Sequence, residues 1–149
     1  MSNPESSSPG EYVPRRPALV AVVVFLLAAA TLCWPMLAGR FLVGDDQYIA
    51  GYGFRLFGAE MFRQTGHIPQ WNPYLFGGLP YIAAMHGDIF YPTAWLRWFL
   101  PTDTAMNLGF FSHIVLAGVT MYAFLRALRV GWTGALVGGL AYELTGIVA

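Results

Sequence analysis

Apolar residues run almost without interruption from Pro17 to Ala38, again from Ala105 to Leu125, and a third time from Gly131 to Ala149. Each run approaches the roughly 20 residues that a helix needs to cross a hydrocarbon core of about 30 Å. The pattern therefore predicts an all-α membrane protein with three transmembrane helices, at 17–38, 105–125 and 131–149, the third cut short where the sequence stops. A secretory signal peptide is the competing reading of the first run, because it too joins a basic flank, here Arg15 and Arg16, to an apolar core. Signal cores span only about 7–15 residues and end at small residues. The run Pro17–Ala38 is longer, and Trp34-Pro35-Met36 is a poor cleavage site, which favours an uncleaved anchor.

Between the first two runs, from Gly39 to Thr104, the pattern changes. Ala50, Phe54, Phe57 and Met61 step at i+4, i+3 and i+4, while Arg55, Ala59 and Arg63 fall on the other face. This predicts an amphipathic helix over 48–64. Such a helix lies on the membrane surface with its apolar stripe downward, or packs the same stripe on other helices of the protein; the spacing leaves both open. Beyond it, His67-Ile68-Pro69-Gln70-Trp71-Asn72-Pro73-Tyr74-Leu75-Phe76-Gly77-Gly78-Leu79-Pro80 holds too many prolines and glycines for a regular helix. A rigid turn whose Trp and Tyr favour the bilayer interface is expected there.

Composition agrees with the membrane reading. The chain is 56% hydrophobic and 11% charged, with mean hydropathy +0.52; soluble domains carry about 25% charged residues. The formal net charge of +0 argues against nucleic acid as a partner. Cys33 stands alone, so it forms no intrachain disulfide and says nothing of redox compartment. Residues 1–16, rich in Ser, Pro and Glu, are expected to be a disordered tail. Arg15 and Arg16 precede the first run, and Arg126 and Arg129 lie in the short turn 126–130. The positive-inside rule then places the N-terminus in the cytoplasm and the loop 39–104 outside. Arg40, Arg55, Arg63 and Arg97 in the loop weaken that bias.

The chemistry-bearing residues concentrate in the same loop. Asp45 and Asp46 stand just before the expected amphipathic helix. Acids at a helix start cap free N–H groups; at the outer end of a membrane span they also suit a general base or a pair of ligands for a divalent cation such as magnesium or manganese. His86 and Asp88, two apart, can bind a metal or a phosphate-linked sugar, or simply hold a loop together by hydrogen bonds.

Taken in order, an N-terminal span, Gly44-Asp45-Asp46-Gln47, a surface helix, Trp71-Asn72-Pro73, Gly77-Gly78-Leu79-Pro80 and Asp88-Ile89-Phe90-Tyr91-Pro92 make a specific pattern. It resembles the start of the bacterial YfhO-type membrane proteins, within the GT-C class of polyprenyl-phosphate-sugar-dependent glycosyltransferases, from about Ala18 onward. The resemblance implies an N-terminal portion of a longer protein of the bacterial cytoplasmic membrane, inactive without its remainder. It implies a lipid-linked sugar donor met at the external face, Asp45 as the essential acid and Asp46 as its neighbour. The wider class more often carries Glu at the second position. Arg55 and Arg63 would neutralise the leaving phosphate, and His86 and Asp88 would line the acceptor side.

Two polar residues interrupt the apolar runs. His113 faces either a cavity or a hydrogen-bonding neighbour helix. Glu143 falls near mid-bilayer by the 1.5 Å rise per residue, where an acid is costly and a functional site by default; protonation, or water admitted by a break at Gly146, is the plain alternative. Gly134 and Gly138 offer a small face for close helix packing. A non-enzymatic transporter or envelope-assembly component, working through Glu143 and His113 with the loop as a lid, is the alternative function.

Overall fold

The computed structural model describes residues 13–42, 44, 47–84 and 88–145. The expected N-terminal tail lies outside these residues as far as Tyr12. The chain is mostly helical and divides into two compact units, one of residues Met1–Trp34 with Phe110–Ala149, the other of Pro35–Gly109.

The first unit holds α1 (Pro17–Leu32), most of α4 (Thr102–Ala127) and α5 (Trp132–Glu143). Among the described residues one helix, α4, is long and apolar enough to cross a membrane. Its 26 residues extend the expected span by three residues at one end and two at the other. The three-span expectation is corrected at its first member. α1 stops at Leu32 after 16 residues, and a separate turn, α2 (Trp34–Leu37), follows. The cause is Pro35, which has no N–H to donate and whose ring clashes with the carbonyl four residues back. At 1.5 Å per residue α1 reaches only roughly 24 Å. α5 has 12 residues, and the apolar continuation from Gly146 lies outside the described residues.

Each helix of this unit presents one ladder of residues four apart. α1 buries Ala21, Phe25 and Ala29, α4 buries Ile114, Gly118 and Tyr122, and α5 buries Ala135, Gly139 and Glu143. Residues four apart lie above one another on a helix, so each ladder is one ridge. Gly118 and Gly139 lie on these ridges; of the expected pair, Gly138 also packs closely, since a Cβ there would collide with the Leu125 side chain of α4, whereas Gly134 is exposed. A Cβ on Gly139 would come within 2.6 Å of the Phe25 ring and 3.0 Å of the Gly118 carbonyl. Other faces stay apolar yet exposed, as at Leu27, Leu116, Phe124 and Val137. The α4–α5 turn is a Schellman closure. Val130 N–H donates to the Leu125 carbonyl and Arg129 N–H to that of Arg126, each at 3.0 Å. Arg129 takes the left-handed position (φ 63°) that glycine usually fills, and Arg126 Nη1 donates to the Val130 carbonyl at 2.9 Å.

The second unit is a small domain with its own core. The expected helix over 48–64 is split into a π-helical turn, Gln47–Tyr52, and α3, Gly53–Thr65. α3 ends at Gly66, whose φ of 72° gives the left-handed cap. The segment expected to be irregular forms a tight hairpin of β1 (Trp71–Asn72) and β2 (Leu79–Pro80), paired antiparallel with Trp71 opposite Pro80. Asn72 Oδ1 accepts the Tyr74 N–H at 3.0 Å, an Asx turn that starts the reversal. Gly78 (φ 112°) must lack a side chain, since a Cβ there would meet the Trp71 indole at 2.7 Å. A 3-10 helix, Pro92–Trp98, follows and buries Ala94 and Arg97 three apart on one side.

The stripe on α3 packs inward on the unit itself. Phe54 is fully buried and stacks on Tyr81 at 4.2 Å, with Ile89 in the same cluster. Phe57 meets Tyr74 and Tyr81 edge-on. Ala59, expected on the polar face, is buried, because Arg55 on that side turns inward to an acid. Neither expected partner of this stripe describes Phe54, which packs on Tyr81 and Ile89 of the loop itself. Phe62 stacks on Trp98 of the 3-10 helix at 4.2 Å. At the other end, Asn107 on α4 clamps the irregular segment at the start of the unit: Nδ2 donates to the Arg40 carbonyl at 3.0 Å and Oδ1 accepts the Leu42 N–H at 2.9 Å.

Gly58 is where α3 meets this core, since a Cβ there would collide with the Tyr81 hydroxyl and ring. Gly58→Ala is expected to destabilise the unit by about 1–3 kcal/mol, the usual range for overpacking. Thermal melting checks it, with Tyr81→Phe relieving part of the loss. A Gly58→Ala protein melting with the wild type would mean that α3 and Tyr81 are not packed this way.

Candidate functional site

The residues expected to bind substrate are brought together in part. Asp88 lies just ahead of the 3-10 helix and receives two arginines. Arg97 grips it with both ends of its guanidinium, Nη2 to Oδ1 at 2.7 Å and Nη1 to Oδ2 at 3.0 Å. Arg55 reaches across from α3 and donates from Nε to Oδ1 at 3.2 Å. Arg97 is 6% exposed, and the Asp88 side chain keeps a third of its surface in solvent.

Local structure explains the geometry. The 3-10 repeat of three residues sets Arg97 on the same inward side as Ala94. α3 sets Arg55 next to the buried Phe54. Burial pushes the Asp88 carboxyl up, but the hydrogen bonds and charge of Arg97, and then the charge and hydrogen bond of Arg55, outweigh it and hold the group below the usual carboxylate range. Asp88 is thus a fixed anion and an unsuitable general base near neutral pH. Next to it, burial pushes the Tyr81 phenol up to about 12, so the ring stays neutral. Two guanidinium charges on one carboxylate leave the cluster with a net positive charge, a setting that favours an anion.

The other candidates fall elsewhere. Arg63 is exposed on α3, on the side away from Phe54 and one turn beyond Ala59. His113 is exposed on α4, beside the buried Ile114. Glu143 is fully buried in the first unit, and neither carboxyl oxygen has a hydrogen-bond partner among the described residues. Asp45, Asp46 and His86 lie outside the described residues. Among those described, no three His, Cys, Asp or Glu side chains cluster as a metal site.

Two residues of the second unit escaped the sequence reading. Arg97 was visible as the one charge within Trp95-Leu96-Arg97-Trp98, and a lone charge in an aromatic run signals a buried cation needing an acid. Asn107, in the first turns of the apolar α4, carried no comparable signal. A cavity of about 390 Å³ opens beside the hairpin, lined by polar Glu60, Gln64 and Asn72 and by Phe57 and Tyr74. No family model, no curated protein and no solved structure matches the chain.

Proposed function

We propose that this chain belongs to a glycosyltransferase-like protein of the bacterial cytoplasmic membrane that takes its sugar from a polyprenyl-phosphate carrier at the external face. The observation that carries the reading is the Arg55–Asp88–Arg97 cluster. It fixes a net positive centre in the unit that also contains the Asp45–Asp46 stretch. The exposed apolar faces of the first unit, with Leu27 63% and Val137 59% exposed, support lipid as their surroundings.

In this reading Asp45 takes the proton of an acceptor hydroxyl. The oxygen attacks the anomeric carbon, the bond from that carbon to the phosphate oxygen breaks, and the carrier phosphate leaves with the negative charge. Arginine suits that phosphate through its forked donors; Arg55 and Arg63 are the residues assigned to it. Asp46, His86 and Asp88 complete the polar lining, Asp88 by holding Arg55 rather than by moving protons. A divalent cation on Asp45 and Asp46 would help to neutralise the phosphate.

Orientation provides the first experiment. With Cys33 changed to serine, a cysteine at the exposed Gln70 is expected to react with an impermeant thiol reagent added outside intact spheroplasts. Labelling only after lysis would place the unit in the cytoplasm and remove it from an external lipid-linked donor. The chemical test is the substitution of the acidic pair taken up in the Discussion.

A further inference from the structure

Glu143 ends the α5 ladder and meets the other two helices at one point. A Cβ on Gly118 of α4 would lie 2.8 Å from Glu143 Oε2 and 2.9 Å from the Phe25 ring of α1. The missing side chain at Gly118 is thus the space in which the carboxyl and the ring sit. The side chain is 0% exposed and both oxygens lack a hydrogen-bond partner among the described residues. The ionisable groups on the elements packed there are Cys33 at the end of α1, Asp103, His113, Tyr122 and Arg126 on α4, and Tyr142 on α5. None of them donates a hydrogen bond to Glu143.

An isolated carboxylate in such surroundings is far more costly than a neutral acid, which keeps its own proton as partial compensation. We propose that Glu143 is a proton-binding site: the three helices hold it as a carboxylic acid at neutral pH, and loss of the proton loosens their packing. The ladder residues around it, Phe25, Gly118 and Gly139, supply shape and no counter-charge. Ionisation therefore sets a charge against an aromatic ring and a glycine backbone, with separation of the helices as the way to hydrate it. This inference is independent of the sugar-transfer reading.

Infrared spectroscopy of the full chain in lipid vesicles tests it. At neutral pH a carboxylic-acid carbonyl band is expected, absent from Glu143→Gln and converted to carboxylate absorption as pH rises. Labelling the glutamates with carbon-13 shifts the band and identifies it in the wild type, even where the variant does not fold. Linkage gives the second readout. Between the unfolded glutamate value of about 4.3 and the band's midpoint the folded state binds one more proton than the unfolded state, so the folding equilibrium constant falls about tenfold per pH unit there and levels off above the midpoint. Glu143→Gln is expected to be flat over that range and at least as stable as the wild type at neutral pH. A spectrum with carboxylate alone at neutral pH would overturn the proposal. So would a Glu143→Gln protein less stable than the wild type there, since that is the mark of a carboxylate paired with a cation.

Discussion

Asp45→Asn is expected to lower sugar transfer by at least about a hundredfold, with expression and folding close to wild type. Asparagine keeps the size and most of the hydrogen bonding of aspartate and loses its charge. Positioned acid–base groups contribute roughly 10²–10⁴-fold to rate, whereas asparagine caps a helix as well as aspartate does. A catalytic and a capping Asp45 therefore separate at one substitution. Transfer from a polyprenyl-phosphate sugar in native membranes is the measurement. Asp46→Asn is the internal comparison, with the larger defect expected at Asp45. If both variants transfer at the wild-type rate, the acids are structural and the proposed reaction loses its base.

Arg97→Met has the largest expected effect on stability. Removing one partner of a buried ion pair typically costs about 3–5 kcal/mol, because the other charge stays behind unpaired. Asp88 keeps a third of its side-chain surface in water and retains Arg55 at 3.2 Å, so the lower end, about 3 kcal/mol, applies. The acid limb moves with it. The Asp88 carboxyl is held low in the fold. Its contribution is complete above the unfolded aspartate value of about 3.9 and is lost as pH falls through the folded one. Without Arg97 the folded value rises towards the unfolded one, and this contribution shrinks at every pH above it. The double variant Asp88→Leu with Arg97→Met is expected to recover most of the stability, since an apolar pair of similar volume often replaces a buried ion pair without loss. Thermal and acid melts of the three proteins decide it; an Arg97→Met protein within experimental error of the wild type would refute the role assigned to the pair. Should the double variant fold but fail to transfer sugar, the cluster's charge matters beyond the fold.

The apolar runs were legible because a period-free stretch of that length has few structural uses, and the helices appear where the runs are. Their ends were less so. The break after Leu32 depends on Pro35 acting back on the preceding turn, an effect easily hidden inside a hydrophobic count. The loop was legible only in outline. Its glycines and prolines announced a turn, but the pairing of Trp71 with Pro80 depends on contacts that local pattern does not carry. The stripe on α3 was read from spacing, yet the buried set also takes in Gly58 and Ala59, since Tyr81 needs room at one and Arg55 swings inward near the other. Asp88 and Arg55 were both named from the sequence. Their meeting was not foreseen, because 33 residues separate them and only the folded loop closes that distance.

Phe25 occupies space left by two glycines on two different helices, so its size is not its own to choose. A methyl group added at Gly118 or Gly139 would run into its ring, and a smaller residue at 25 would leave a hole that neither glycine can fill. The three positions form a lock whose parts change only as a set. Among descendants of this sequence, an alanine at either glycine position should arrive with a smaller residue in place of the phenylalanine, and selection for either change alone should be against it.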